Sequence, residues 1–332
     1  MDHLNLPIVT SRIARVCEIA APRSMLIDLN DQFRRSGLRK AVARHDTPVL
    51  FDWLIGVLSY QGVSDAIAWA YMDQHGTVTF ADIDAVLSDQ PSCPKLRSYW
   101  HFDDCRFAKQ TFLCREPDHI EACPLPLHDL RNGRLNQTAY SLFLFLRDVC
   151  DGDLVGWIDA KLANAVHNTG AGHHAELVRQ ALLEPLSGIY GVSFKVLSMA
   201  LADLLLAGDP GRRRWVKAGA SMVAIDTLVH NWLHRTGCLR DLEAEHGYGA
   251  GCYAPGGCAD IIEAASQSID ARRFCPEGPV VFPRLIQKAI WLFCTEAGHD
   301  ICNGNRIDDR FACRSQDCPI REQCRCIPLR SR

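Results

Sequence analysis

Apolar residues recur at spacings of three and four through most of this chain, and no segment sustains strand-like alternation. That periodicity makes one-sided helices and leaves a predominantly α fold as the expectation. Leu50, Trp53, Leu54, Val57 and Leu58 form one such face behind Thr47-Pro48, which resembles an N-cap followed by proline at the first helical position. A second helix is expected from Ser64 to about Gln74, ending at Gly76, and Thr79 with Asp82 imitates a capping box for a third. Further helices are expected near residues 134–149, 153–167, 176–183, 195–207, 227–236, 259–271 and 281–296, with another near Ile27–Arg44. There is no internal repeat.

Three stretches break the pattern: 91–133, 244–258 and the tail from Gly298, which holds five cysteines. With 332 residues there is room for two domains. At 23% charged residues the composition excludes a disordered chain, and the apolar runs are too short for a bilayer span. Sixteen cysteines without a signal-peptide pattern point to metal or cluster ligation in a reducing, intracellular compartment rather than to disulfides. Cys302, Cys313, Cys318 and Cys324 are spaced C-x10-C-x4-C-x5-C, with Cys326 as a spare. Four thiolates on so short an irregular segment suit an iron–sulfur cluster or a zinc ion. The segment has too few apolar residues to order itself without metal. Cys93, Cys105, Cys114 and Cys123, with His101, His119 and His128, leave a second metal site open although their spacing matches no tight zinc knuckle, and the same question stays open for Cys238, Cys252, Cys258 and Cys275, with buried or unpaired thiols as the alternative.

The formal charge of −3 gives no global reason to expect nucleic acid, yet residues 205–240 carry six basic and two acidic side chains. Arg212, Arg213 and Arg214 lead that run. Just before it, residues 186–195 (Leu-Ser-Gly-Ile-Tyr-Gly-Val-Ser-Phe-Lys) read as helix, tight turn, helix. A turn of this kind aims backbone N–H groups at an anion, and a nucleic-acid phosphate is a natural guest.

In order along the chain, Phe51 to Ser64 with its Ser-x-Gln segment, Gly191-Val192-Ser193-Phe194-Lys195, Ile225-Asp226-Thr227-Leu228-Val229-His230, and the four-cysteine loop ending in Cys318-Pro-Ile-Arg-Glu-Gln-Cys324 resemble the helix-hairpin-helix DNA glycosylases. The iron–sulfur branch typified by endonuclease III is the most similar. Ser193 stands where that family has a second glycine, and the cysteine intervals match it only in the last. The resemblance implies two helical domains with a DNA-binding cleft between them. One would be a six-helix barrel at 50–207, containing the Cys-rich insertion 91–133 and the hairpin 186–203. The other would be discontinuous, joining 1–49 to 208–332 with the cluster loop 302–326. It further implies a monomer that flips a damaged or modified base out of double-stranded DNA and excises it, with AP lyase activity through a lysine Schiff base. Lys195 would be the nucleophile and Asp226 the carboxylate that stabilises the oxocarbenium charge. Gln61 would fill the vacated stack, with Gly191, Ser193, Arg212, Arg213 and Arg214 contacting DNA. Cys302, Cys313, Cys318 and Cys324 would hold a [4Fe–4S] cluster, zinc being the alternative occupant. The other reading is a non-catalytic nucleic-acid-binding protein that keeps hairpin and cluster for recognition only.

Overall fold

The periodic segments form helices. A computed structural model of the chain describes residues 5–59, 65–88, 93–102, 105–108, 113–114, 133–167, 174–304 and 310–329. In order, the helices are α1 (Leu6–Ala20), α2 (Met25–Arg35), α3 (Leu38–Arg44), α4 (Thr47–Leu58), α5 (Asp65–His75), α6 (Phe80–Ser88), α7 (Tyr99–Phe102), α8 (Gly133–Asp148), α9 (Leu154–His167), α10 (His174–Leu186), α11 (Phe194–Ala207), α12 (Arg213–Ser221), α13 (Thr227–Thr236), α14 (Cys238–Asp241), α15 (Cys258–Ser266) and α16 (Pro283–Cys294). The strands among the described residues are β1 (Phe107–Ala108) and β2 (Leu113–Cys114), antiparallel with Phe107 opposite Cys114.

The helix expected at 27–44 is two helices, α2 and α3, parted at Ser36-Gly37. Thr47 is not the cap of α4. Asp46 takes that position, its side chain accepting from the Val49 N–H at 3.3 Å. Thr47 is instead buried, and its hydroxyl accepts from the Leu154 N–H at 3.2 Å. The Thr79–Asp82 capping box is present: the Thr79 N–H reaches Asp82 Oδ2 at 2.8 Å, and the Asp82 N–H reaches Thr79 Oγ1 at 3.3 Å.

The chain divides into two compact units, residues 33–201 and residues 1–32 with 202–332. In the first, α3 packs on α4, so residues 38–44 group with the barrel segment rather than with the N-terminal one. α8 is its centre. Tyr140, Leu142, Phe143, Leu144, Phe145 and Leu146 are all buried, so this stretch of the helix is enclosed on every side. Phe80 lies 4.7 Å from Phe143 and 5.6 Å from Phe51 between ring centroids, while Phe145 contacts Tyr99 and Trp157 at 5.3 and 5.4 Å. Each such burial is worth roughly 1.5–3 kcal/mol.

The polar exceptions on α8 hold the turn that follows α10. Thr138 Oγ1 donates to the Tyr190 carbonyl at 2.9 Å, and the Tyr190 N–H donates to Ser141 Oγ at 3.0 Å. Thr138→Val keeps the shape and removes one of these bonds. It is expected to lower stability by about 1 kcal/mol, read as a shifted urea midpoint at unchanged slope.

In the second unit, α1 packs against α15 and α16, and α12 and α13 also lie on α16. Val9, Ile13 and Val16 of α1 share one core with Leu285, Ile286, Ile290 and Phe293 of α16 and with Val229, Trp232 and Leu233 of α13. The tail docks on the end of α13. The Arg325 N–H donates to the Thr236 carbonyl at 3.2 Å, and the Ile327 N–H to the Arg235 carbonyl at 2.9 Å. Ile320, Ile327 and Leu329 are buried there. Among the described residues, no helix is long and apolar enough to cross a membrane.

Candidate functional site

The anticipated hairpin consists of α10, a connector at 187–193 and α11. The connector folds on itself through the Ile189 N–H to the Leu186 carbonyl and the Val192 N–H to the Ile189 carbonyl, at 3.1 and 3.3 Å. Gly191 has φ +74°, and a Cβ there would stand 3.3 Å from Thr138 Oγ1, so the turn requires glycine. Gly191 and Ser193 are exposed, and Lys195 is half-buried in the first turn of α11. Gln61 lies outside the described residues, as do Cys123, His119 and His128. Of the insertion's other cysteines, burial pushes the Cys105 thiol up, with smaller contributions from Cys93 and Cys114.

Asp226 belongs to the second unit, where it caps α13. Its backbone is extended, with φ −111°, and its side chain accepts from the Val229 N–H at 2.9 Å. The residue before it is fastened as well, the Ile225 N–H donating to the Tyr253 hydroxyl at 2.8 Å. Asp226 interacts electrostatically with buried Arg284, whose guanidinium is pushed down by burial and supported by Asp203, Tyr253 and Asp226. Of the three arginines at the start of α12, Arg212 is engaged: it pairs with Asp209 at 3.0 Å and lies over the ring of buried Trp215 at 4.9 Å. Arg213 and Arg214 are exposed, and Arg213 joins Lys217 in lining a shallow cavity floored by Val216, Pro279 and Val281.

The tail cysteines form one neighbourhood. Burial raises the Cys318 thiol, and the charges of Cys302, Cys313 and Cys326 add to the rise. Cys324 is pushed up to about 12 by burial, with Cys326 and Cys302 acting in the same direction. Backbone N–H groups already face two of the sulfurs, Ile320 toward Cys318 and Cys326 toward Cys324, the latter at 3.3 Å. Arg321 donates to the Cys313 carbonyl and to the Cys326 sulfur. Cys302 is drawn down by a hydrogen bond from Cys294, a buried thiol at the end of α16 that burial keeps protonated. Adjacent thiols with N–H donors facing two of the sulfurs are compatible with metal or cluster ligation.

A second constellation unites residues that periodicity kept apart. His230 on α13, His246 in the following loop, Cys252 on a short 3-10 turn and Cys258 at the first position of α15 present ligand atoms all within 4.8 Å of one another. His230 Nδ1 is 3.4 Å from both sulfurs, and His246 Nε2 is 3.4 Å from Cys258 Sγ. The loop closes through close backbone approach: a Cβ on Gly257 would stand 2.2 Å from the Gly251 carbonyl oxygen. His230 is 5% exposed, and Cys252 and Cys258 are fully buried. Of the four cysteines 238, 252, 258 and 275, only the middle pair meets. Cys238 instead contacts Thr236 and Arg12, and Cys275 lies in the core. In the sequence His230 belongs to the Asp226 segment and His246 to an irregular stretch. Their C-x5-C partner spacing at 252–258 was the available signal.

Compared with known proteins, the chain matches no family model, no curated protein and no solved structure.

Proposed function

We propose that the protein is a DNA glycosylase that excises a damaged or modified base, with Lys195 as nucleophile and an accompanying AP lyase step. The observation that carries this reading is the helix–turn–helix of residues 174–207. Exposed Gly191 and Ser193 lead there into α11, and Lys195 occupies its first turn. Backbone N–H groups at such a helix start attract a phosphate, and an amine there can reach a sugar held by that phosphate. Lys195 attacks the sugar C1′ and the base departs with the bonding pair. Proton loss from nitrogen and opening of the sugar ring then give an imine on Lys195, from which β-elimination cleaves the strand. Asp226, which the resemblance makes the carboxylate that stabilises the developing positive charge, is held by the Val229 N–H. Exposed Arg213 and Arg214 contribute phosphate contacts that weaken with salt. Cys302, Cys313, Cys318 and Cys324 would hold a [4Fe–4S] cluster, which when bound supplies a rigid cross-link that orders the tail.

Borohydride reduction in the presence of duplex DNA bearing an abasic site is expected to give a covalent adduct with the wild-type chain and none with Lys195→Ala. Duplexes carrying oxidised pyrimidines, 8-oxoguanine, alkylated bases and glucosylated cytosines identify the excised base. Base release without trapping, still dependent on Asp226, would make the enzyme monofunctional. Binding with neither trapping nor release from any of these duplexes overturns the enzymatic reading in favour of recognition alone.

A further inference from the structure

We infer that His230, His246, Cys252 and Cys258 form a closed structural zinc site, separate from the tail cysteines and independent of the glycosylase reading.

Three edges of the set match those of a tetrahedral zinc centre. With Zn–S near 2.3 Å and Zn–N near 2.0–2.1 Å, a tetrahedral S–N edge is about 3.5 Å. The three sulfur–nitrogen contacts here are 3.4 Å, and no pair of ligand atoms exceeds 4.8 Å. The surroundings orient the ligands as metal sites do. His246 Nδ1 lies 2.7 Å from the Ala244 carbonyl, which makes Nδ1 the protonated nitrogen and leaves Nε2 as the free donor turned toward Cys258. Cys258 opens α15, where its own backbone N–H faces its sulfur. The Gly249 backbone also hydrogen-bonds the Cys252 sulfur.

Charge and burial narrow the occupant. Two thiolates and two neutral imidazoles cancel a divalent cation, so a neutral unit sits where an isolated charge would be costly. Mixed sulfur and imidazole donors in a tetrahedron select zinc over magnesium or calcium, which take oxygen. An iron–sulfur cubane distributes its ligands over separate irons and needs sulfurs farther apart than this compact set permits. All four positions are filled by protein, which makes the site structural rather than catalytic. Its consequence is local. The ion ties α13, four residues beyond the Asp226 cap, to the 244–258 loop and the start of α15. That loop, glycine-rich and otherwise poor in apolar residues, thereby gains a fixed conformation.

The test is zinc content and zinc-edge X-ray absorption on the full chain purified under reducing conditions, followed by cobalt exchange. The expected shell is two sulfurs and two nitrogens. Cys252→Ser/Cys258→Ser should lose one equivalent of metal per chain. His246→Cys should keep the metal and raise the thiolate-to-cobalt charge-transfer band about 1.5-fold, since three thiolates replace two at the same tetrahedral centre. This second variant decides the matter even if the double serine variant does not fold. A zinc shell of four sulfurs, zinc content unchanged in the double variant, or an unchanged charge-transfer band in His246→Cys each overturns the assignment. None of these readouts depends on base excision.

Discussion

Asp241→Ala is expected to cost about 3–5 kcal/mol of folding stability, because it strands a buried cation. Asp241 ends α14, and its carboxylate joins two distant parts of the chain: Oδ2 accepts from Arg12 Nη1 at 2.6 Å and Oδ1 from Arg325 Nε at 2.7 Å. The Arg12 and Asp241 side chains are each 6% exposed, so water cannot replace the lost partner. Against a total stability of roughly 5–15 kcal/mol, a loss of that size is visible as a large drop in the urea midpoint. The double variant Arg12→Leu/Asp241→Leu supplies the control. It removes both charges and refills the space, and should recover most of the loss, since a buried pair is often replaceable by apolar side chains. Arg325→Ala, with its partly exposed guanidinium, should cost far less. A single Asp241→Ala variant within 1 kcal/mol of wild type would show that Arg12 finds water or another acceptor.

Asp226→Asn separates the structural from the chemical role of that residue. The amide oxygen of asparagine can still accept from the Val229 N–H, so the cap of α13 survives and stability should change little. The carboxylate charge does not survive, and base excision is expected to fall by roughly 100- to 1000-fold, the usual consequence of deleting one group that stabilises transition-state charge. Asp226→Ala should combine that loss with about 1 kcal/mol of destabilisation from the missing cap. The measurement is single-turnover base release beside a denaturation curve for each variant. Equal activity of wild type and Asp226→Asn would confine Asp226 to capping.

Lys195 and Asp226 show how far sequence carries such an argument. Each lies at the start of a helix whose beginning is legible from turn residues and periodicity: Phe194 and Thr227 open α11 and α13, and α13 spans the expected residues 227–236. Local rules suffice there because helix starts depend on a few adjacent residues. The same rules failed at Thr47, where a tertiary bond to the Leu154 N–H drew the threonine inward and left Asp46 to cap. Two helices are not among those expected from periodicity: α1, whose Val9, Ile13 and Val16 nevertheless share one face, and α12, a short helix that begins within the basic run Arg212–Arg214.

The candidate metal-binding residues divide along a similar line. Cysteines at 302, 313, 318 and 324 could be grouped from sequence because short irregular chain keeps them near one another whatever the rest of the fold does. The contribution of Cys294 could not, since it lies inside a helical pattern and meets Cys302 only when the chain turns back after α16. His230 and Cys258 are 28 residues apart, on two different helices. By itself the sequence determined the helical class, most helix positions and the cysteine-rich tail, all of which rest on interactions among near neighbours. Only the tertiary structure decided which histidines and cysteines share a centre, because that depends on how α13 and α15 pack, and no spacing along the chain encodes the angle between two helices.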